Sequence, residues 1–279
     1  MKNLLASARS FLFVPGNRPE RFETALRSGA DAVVLDLEDS VPLGAKSFAR
    51  EGISKAWAGL QVLEVPLVVR INAPHQPIGL DDLQWLSSLD GLAGVMVPKA
   101  ESGLALAEVR AVLPGIPILP LIESAAGYAN ISEIACAAGV LRLVIGHIDF
   151  MADTGLLGSE DELELAPLRF AVAMATRLGQ LAPAVDGVTV IIADDESLRR
   201  DTLRALRFGF GGKLCIHPRQ IEVVHRCIAP SADEVAWARR VLEADAASGG
   251  AAVQVDGRMI DLPVMLQARR LLARAPAPQ

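Results

Sequence analysis

Pro120-Leu121-Ile122-Glu123-Ser124, followed after one helix-length interval by Leu143-Val144-Ile145-Gly146-His147-Ile148-Asp149-Phe150, is the stretch from which the fold is read. Each segment is a short, mostly apolar run closed by a carboxylate, the pattern of a parallel strand buried on both faces. Strands of this kind present chemistry at their C-terminal ends, so Glu123 and Asp149 are expected on neighbouring strand ends. Two oxygen ligands completed by water and a chelating substrate are a common way to hold Mg2+, because the ion prefers octahedral oxygen coordination and keeps part of its hydration. The reading is therefore a magnesium site with Glu123 and Asp149 as metal ligands. Nitrogen and sulfur ligands are not clustered here, which argues against a zinc centre.

Outward from this pair, strand-like runs recur at residues 10–14, 32–37, 66–71, 94–97, 116–122, 141–146, 187–192 and 213–216, with helical stretches between them. Eight strand-helix units of this spacing predict an α/β fold, a TIM (β/α)8 barrel. An open doubly wound sheet is the alternative. Phe13-Val14-Pro15-Gly16-Asn17-Arg18 stands where such a sheet would carry Gly-x-Gly-x-x-Gly, so no dinucleotide site is expected. The barrel is assigned residues 1–230 and a C-terminal helical extension residues 231–279. Ser231-Ala232-Asp233-Glu234 has the form of a capping box opening a helix to about residue 247. Ser248-Gly249-Gly250 breaks it, residues 253–256 can form a short strand, and residues 262–274 read as a last helix.

The chain has 279 residues, 51% of them hydrophobic, enough for one sizeable core. Its 27 basic and 33 acidic residues give a net charge of −6, which argues against nucleic-acid binding. No uninterrupted apolar run of about 18 residues and no export signal are evident, so a cytoplasmic protein without membrane association is expected. Cys136, Cys215 and Cys227 are odd in number and widely spaced, and are read as buried thiols.

Alternation along Val33-Val34-Leu35-Asp36-Leu37-Glu38-Asp39 puts Asp36 and Glu38 on one inward-facing side of the second strand. Acids there need partners, and a place in the active-site network is the reading preferred over ion pairing to Arg70 or Lys99 alone. Arg70 closes the third strand and is read as a substrate contact that can stabilise a developing oxyanion, the alternative being a salt bridge to Glu38. Lys99 raises imine chemistry, but a lysine beside carboxylates stays protonated, and the acid pair calls for a metal-stabilised enolate instead. His147 and His217 are possible bases, and Gly16, Gly146 and Gly212 are expected to allow tight turns or close backbone approach.

The motifs Phe13-Val14-Pro15-Gly16-Asn17-Arg18-Pro19, Asp31 through Asp39, Val69-Arg70-Ile71-Asn72, Val97-Pro98-Lys99, Ile122-Glu123-Ser124 and Gly211-Gly212-Lys213-Leu214-Cys215-Ile216-His217-Pro218 occur in this order over nearly the whole chain. As a set they resemble the citrate lyase beta-subunit-like proteins, grouped with malyl-CoA and citramalyl-CoA lyases among the HpcH/HpaI aldolases. The resemblance implies a magnesium-dependent barrel cleaving or forming the carbon-carbon bond of a β-hydroxyacyl-CoA thioester to give a keto acid and acetyl-CoA. It implies Glu123 and Asp149 as metal ligands and Arg70 on the reacting oxygens. Asp36 and Glu38 join the catalytic set. Asp261 resembles a tail aspartate that reaches a neighbouring subunit's site, which implies a homo-oligomer, trimer or hexamer; a helix-cap role is the alternative. For the CoA phosphates the candidate patch is Arg18 with Arg21, surface solubility being the alternative. The family's usual Gly-x-Glu-Asp is here Gly146-His147-Ile148-Asp149, which alters the charge beside the metal. Rival readings are a CoA-independent pyruvate-type class II aldolase and a citrate lyase beta-like subunit active only with an acyl-carrier partner.

Overall fold

The computed structural model describes residues 2–248 and 253–275. Eight parallel strands close into a barrel in sequence order: β1 (Ser10–Pro15), β2 (Ala32–Asp36), β3 (Leu67–Arg70), β4 (Gly94–Val97), β5 (Ile118–Ile122), β6 (Val144–Ile145), β7 (Val185–Asp186) and β8 (Gly212–Cys215). β1 pairs with β8 through Ser10↔Lys213 to close the ring. The helices between strands are α2 (Phe22–Leu26), α3 (Lys46–Gln61), α4 (Pro77–Leu86), α5 (Gly103–Val112), α6 (Ala125–Ala129), α7 (Ile131–Cys136), α8 (His147–Thr154), α9 (Ala166–Leu178) and α10 (Asp195–Arg207). α1 (Lys2–Ser7) precedes the barrel and α11 (Arg219–Ile228) follows it. Local chemistry sets their starts. Ser102, Ser124 and Asp194 accept hydrogen bonds from the first-turn amides of α5, α6 and α10, and α4 and α9 carry proline in the first turn.

The barrel interior is filled by Phe11, Val34, Val68, Met96, Leu119, Leu121, Val144, Val185 and Leu214, with Leu5 and Ala8 packed beneath them. Arg142 lies fully buried at the N-terminal end of the strands. Its guanidinium donates to the carbonyls of Leu5, Ala8 and Pro183 at 3.1, 2.6 and 2.6 Å and stacks on Phe11. Three carbonyl dipoles solvate the charge, and burial pushes this group down to about 9 although the Asp31 charge opposes it. The N-terminal segment is thereby fastened across the barrel floor.

Two strand assignments from the sequence require correction. The seventh strand is Val185–Asp186, not residues 187–192; Val190, Ile191 and Ile192 lie in the following loop with 58, 58 and 39% exposure. The β-branched run mimics a strand, whereas the true strand carries an acid, Asp186, that is buried because Arg169 and Lys213 neutralise it. The sixth strand ends at Ile145, so Asp149 falls in the first turn of α8 rather than at a strand end. A carboxylate is favoured there by the unpaired amides of the helix N-terminus. The cysteines also differ from expectation: Cys215 is buried, Cys227 half-buried and Cys136 exposed.

The chain forms two compact units, Met1–Val224 and His225–Gln279. In the second, α12 (Ala232–Ser248) opens with the capping box: the Ser231 amide donates to the Glu234 carboxylate, and the Glu234 amide to the Ser231 hydroxyl. β9 (Val253–Val255) pairs antiparallel with β10 (Arg258–Ile260), and α13 (Leu262–Leu272) follows. The sequence reading saw only the first strand. Asp256 and Gly257, both at positive φ, are the two-residue turn that an Asp-Gly pair favours and that marks a hairpin. Ala238, Val241, Ile260, Ala268 and Leu271 form this unit's core. The break expected at Gly249-Gly250 lies outside the described residues. Among the described residues, no helix is long and apolar enough to cross a membrane.

Candidate active site

β2 and β3 pair in register with Asp36 opposite Arg70, so their side chains meet at the C-terminal end of the barrel. Arg70 grips Asp36 through two bonds, Nε to Oδ1 at 2.6 Å and Nη2 to Oδ2 at 2.7 Å. Its remaining terminal nitrogen lies 2.8 Å from Glu38 Oε2, and the guanidinium stacks 4.9 Å from the centre of the Phe13 ring. Burial works to raise the pKa of Asp36, but the Arg70 charge and bonds hold it below the usual carboxylate range. The same acids keep Arg70 firmly cationic against its own burial.

Glu38 differs. Burial raises its pKa despite Arg70 and Lys99, whose Nζ donates to Oε1 at 3.0 Å. Lys99 is itself raised, since Glu38 and Glu123 outweigh its partial burial. The ion pair with Glu38 favours the protonated amine, which is no nucleophile, over an imine-forming one. Lys99 also sits at φ +45°, a conformation costly for a non-glycine residue, and its backbone amide donates to Glu123 Oε1 at 2.8 Å.

Glu123 immediately follows β5 and is buried. Its Oε2 has no hydrogen-bond partner. Burial, with Glu38 and Asp149 adding like charge, pushes the carboxyl up to about 8. Gly146 makes the position possible: a Cβ on that residue would collide with the Glu123 carboxylate and lie 2.7 Å from its Cβ. Half-buried Asp149 shares with Glu123 a cavity of about 370 Å3, which Asp36, Asp39, Arg70 and His147 also line.

His147 is buried, Nδ1 unpartnered and Nε2 3.9 Å from Glu162, and burial holds it below the ordinary histidine value. It rests on Gly187, where any Cβ would overlap the ring. His217 is spent locally, its Nδ1 accepting from the Arg219 amide at 3.1 Å.

The structure thus brings together Asp36, Glu38, Arg70, Glu123 and Asp149. It does not bring Arg18 to the cavity: Arg18 makes an exposed ion pair with Glu20 at 2.5 Å. Asp261 belongs to the C-terminal unit, where it caps α13 by accepting from the Val264 amide at 3.2 Å. The Arg70 reading also needs refinement, because the residue is both cavity wall and salt bridge.

A neighbouring buried network went unread in the sequence. Asp186 pairs with Arg169 at 3.1 Å and Lys213 at 3.7 Å, and Glu162 takes Arg169 and Arg204 at 2.5 and 2.6 Å. Its only signal was a charged residue inside each of two apolar runs, Val185-Asp186 and Lys213-Leu214.

Among the described residues, no group of three or more His, Cys, Asp or Glu is arranged to hold a metal ion. Two carboxylates with an orphaned, buried oxygen instead suit a hard cation that keeps water or substrate in its other positions.

A closed parallel barrel with acids and an arginine at its C-terminal mouth defines a TIM-barrel enzyme. The sequence profile of the HpcH/HpaI aldolase/citrate lyase family matches residues 9–218. The chain belongs to that family, as a lyase. It is 38% identical to the citrate lyase subunit beta-like protein of Deinococcus radiodurans, over 96% of this chain and 97% of the relative. It is 31% identical to a (3S)-malyl-CoA thioesterase of Cereibacter sphaeroides, over 96% and 95% of the two. The crystal structure of the Mycobacterium tuberculosis protein CitE in complex with magnesium, acetoacetate and coenzyme A superposes with a TM-score of 0.82 at 33% identity, covering 97% of this chain and 99% of that one.

Proposed function

We propose that this chain cleaves, or in reverse forms, the carbon-carbon bond of a β-hydroxyacyl-CoA thioester, yielding a 2-oxo acid and acetyl-CoA with Mg2+ as cofactor. The carrying observation is the buried, partnerless Oε2 of Glu123 beside Asp149 in the cavity. Glu123 and Asp149 hold the ion. Bound there, the cation supplies Lewis acidity that lowers the pKa of the substrate hydroxyl. As the hydroxyl proton passes to solvent, the carbon-carbon bond breaks, forming the 2-oxo group and leaving the two-carbon fragment as a thioester enolate. Arg70 donates two hydrogen bonds to Asp36 and pairs by charge with Glu38, and its other N–H groups serve the enolate oxygen. Asp36 and Glu38 position that guanidinium.

Asp261 of a neighbouring subunit supplies the proton that converts the enolate to acetyl-CoA, which requires more than one subunit, a trimer or hexamer being the assembly we propose. Arg18 is the candidate contact for a CoA phosphate. A second reading, thioester hydrolysis, is favoured by the name of the Cereibacter relatives.

One assay separates these readings: incubation of the purified chain with β-hydroxyacyl-CoA thioesters, with Mg2+ or chelator, alongside Glu123→Ala. Lyase activity releases a 2-oxo acid and acetyl-CoA, needs Mg2+ and is lost in the variant. Hydrolysis releases free CoA without an oxo acid. Turnover of a free hydroxy-oxo acid without CoA would identify the aldolase, and turnover only on an acyl-carrier protein the partner-dependent subunit.

A further inference from the structure

Lys46 opens α3 with only 8% of its surface exposed. Its ammonium donates to the carbonyls of Leu37 and Glu38 at 3.0 and 3.1 Å and to Asn72 Oδ1. An ammonium has three N–H groups, so these three oxygens occupy all of them. Asn72, also buried, donates Nδ2 to the Leu37 carbonyl at 3.0 Å, and its Nδ2 and backbone amide to Asp82 Oδ2 at 2.6 and 2.9 Å. Arg50 on α3 holds the other oxygen of Asp82 on α4 at 2.6 Å. A continuous set of bonds therefore runs from α3 and α4 to two consecutive carbonyls just beyond the end of β2.

Those carbonyls belong to the turn that carries Glu38. Its amides are held from the other side: Glu38 and Ser40 donate to the Asp36 carboxylate at 3.0 and 3.2 Å, and Leu37 to the Arg70 carbonyl at 2.9 Å. Fixed in this way, the turn presents Glu38 to Arg70 at 2.8 Å and to Lys99 at 3.0 Å. A buried cation is costly unless its hydrogen bonds are complete, and a charged donor binds a carbonyl about twice as strongly as a neutral one does. Here those strong bonds are made to main chain and to an amide oxygen rather than to a carboxylate. Lys46 lies outside the cavity lining, so its effect on the reaction passes through the turn.

Building on the lyase reading above, we infer that Lys46 is a positioning residue for that reaction: it locks the turn at residues 37–40, through which Glu38 aims Arg70 at the reacting oxygens. Lys46 touches no substrate atom and acts through two main-chain carbonyls.

The test is a double-mutant cycle on kcat with Lys46→Met and Glu38→Gln, read beside hydrogen exchange by mass spectrometry in peptides covering residues 37–41. Lys46→Met should lower kcat by about 10- to 100-fold, the cost of displacing an aimed group by about 1 Å, with KM kept within about threefold. The double variant should be no slower than the slower single one, because both remove the same alignment. Exchange at residues 37–41 should speed up in Lys46→Met. Lys46→Arg, which keeps the charge and the donors, should recover most of kcat. Arg142→Lys perturbs the corresponding carbonyl-bound cation at the barrel floor; it should lower stability and leave both kcat and this exchange unchanged. Should Lys46→Met fail to fold, Lys46→Gln, which keeps two donors, carries the same comparison. Losses that multiply in the double variant, an unmoved kcat, or unchanged exchange at residues 37–41 overturn the inference. If the wild type cleaves no thioester, the lyase reading fails and exchange decides by itself. Faster exchange in Lys46→Met but not in Arg142→Lys then keeps Lys46 as the lock on the turn, and unchanged exchange removes it.

Discussion

Glu123 and Asp186 are both buried acids at the C-terminal ends of barrel strands, yet their environments pull them in opposite directions. Asp186 has Lys213 and Arg169 beside it, and they hold its pKa low although burial opposes them. Each acid keeps one oxygen without a hydrogen bond, but Asp186 Oδ2 lies 3.7 Å from the Lys213 ammonium, whereas Glu123 has one amide for Oε1 and two acids nearby, so it rises to about 8. Evolution of a stable core would remove the second arrangement and keep the first. A buried carboxylate whose charge the protein leaves unbalanced marks the place where a charge from outside is expected.

The comparison breaks first at Asp186. Asp186→Ala leaves the buried Lys213 ammonium without its carboxylate and Arg169 with Glu162 alone, and we expect a loss of about 3–5 kcal/mol in denaturant unfolding, the usual cost of halving a buried ion pair. A loss under about 1 kcal/mol would mean that the network is dispensable. Glu123→Gln should do the reverse: cleavage drops by more than about 100-fold, beyond the usual effect of losing a metal site's outer partner, while stability is kept.

The pH dependence carries the sign. A carboxyl raised in the folded state contributes stability that is present below its unfolded pKa and is lost as pH rises towards about 8. Without metal, thermal unfolding of the wild type should therefore show a decline over this range that Glu123→Gln lacks. Since an ion must displace the Glu123 proton, Mg2+ affinity should increase from pH 6 to pH 9. Asp186, held low, contributes stability that is lost only on acidification.

Smaller effects sharpen the contrast. Gly146→Ala pushes a methyl into Glu123 and should cost about 1–3 kcal/mol, as overpacking does, with a measurable fall in Mg2+ affinity by calorimetry. Arg18→Ala removes only an exposed ion pair, so stability should move by less than about 0.5 kcal/mol. If Arg18 meets a CoA phosphate, KM for the thioester rises with kcat unchanged; an unmoved KM excludes that contact.

The barrel was legible because eight doubly buried strands must be written as apolar runs, and Gly94–Val97 was placed to the residue. Residues 187–192 misled for the same reason: β-branched composition records what a strand tolerates, not whether it is covered. Asp36, Arg70 and Glu123 were legible as charges interrupting such runs. Asp149 was read as a strand-end acid but lies in α8, because Leu143 to Phe150 reads continuously and only the turn at Gly146 shows where α8 begins. The β9–β10 hairpin had a readable Asp256-Gly257 signal that went unused.

By itself the sequence determined the element types, their order around the barrel and which polar side chains were forced inward, since these follow from local periodicity and from the cost of burying charge. Only the tertiary structure decided which of those charges cancel. Whether Arg70 faces Asp36, whether Lys213 reaches Asp186, and whether Glu123 is left with an empty oxygen depend on register between strands distant in sequence. Electrostatic energy falls with distance in three dimensions, which no one-dimensional pattern records.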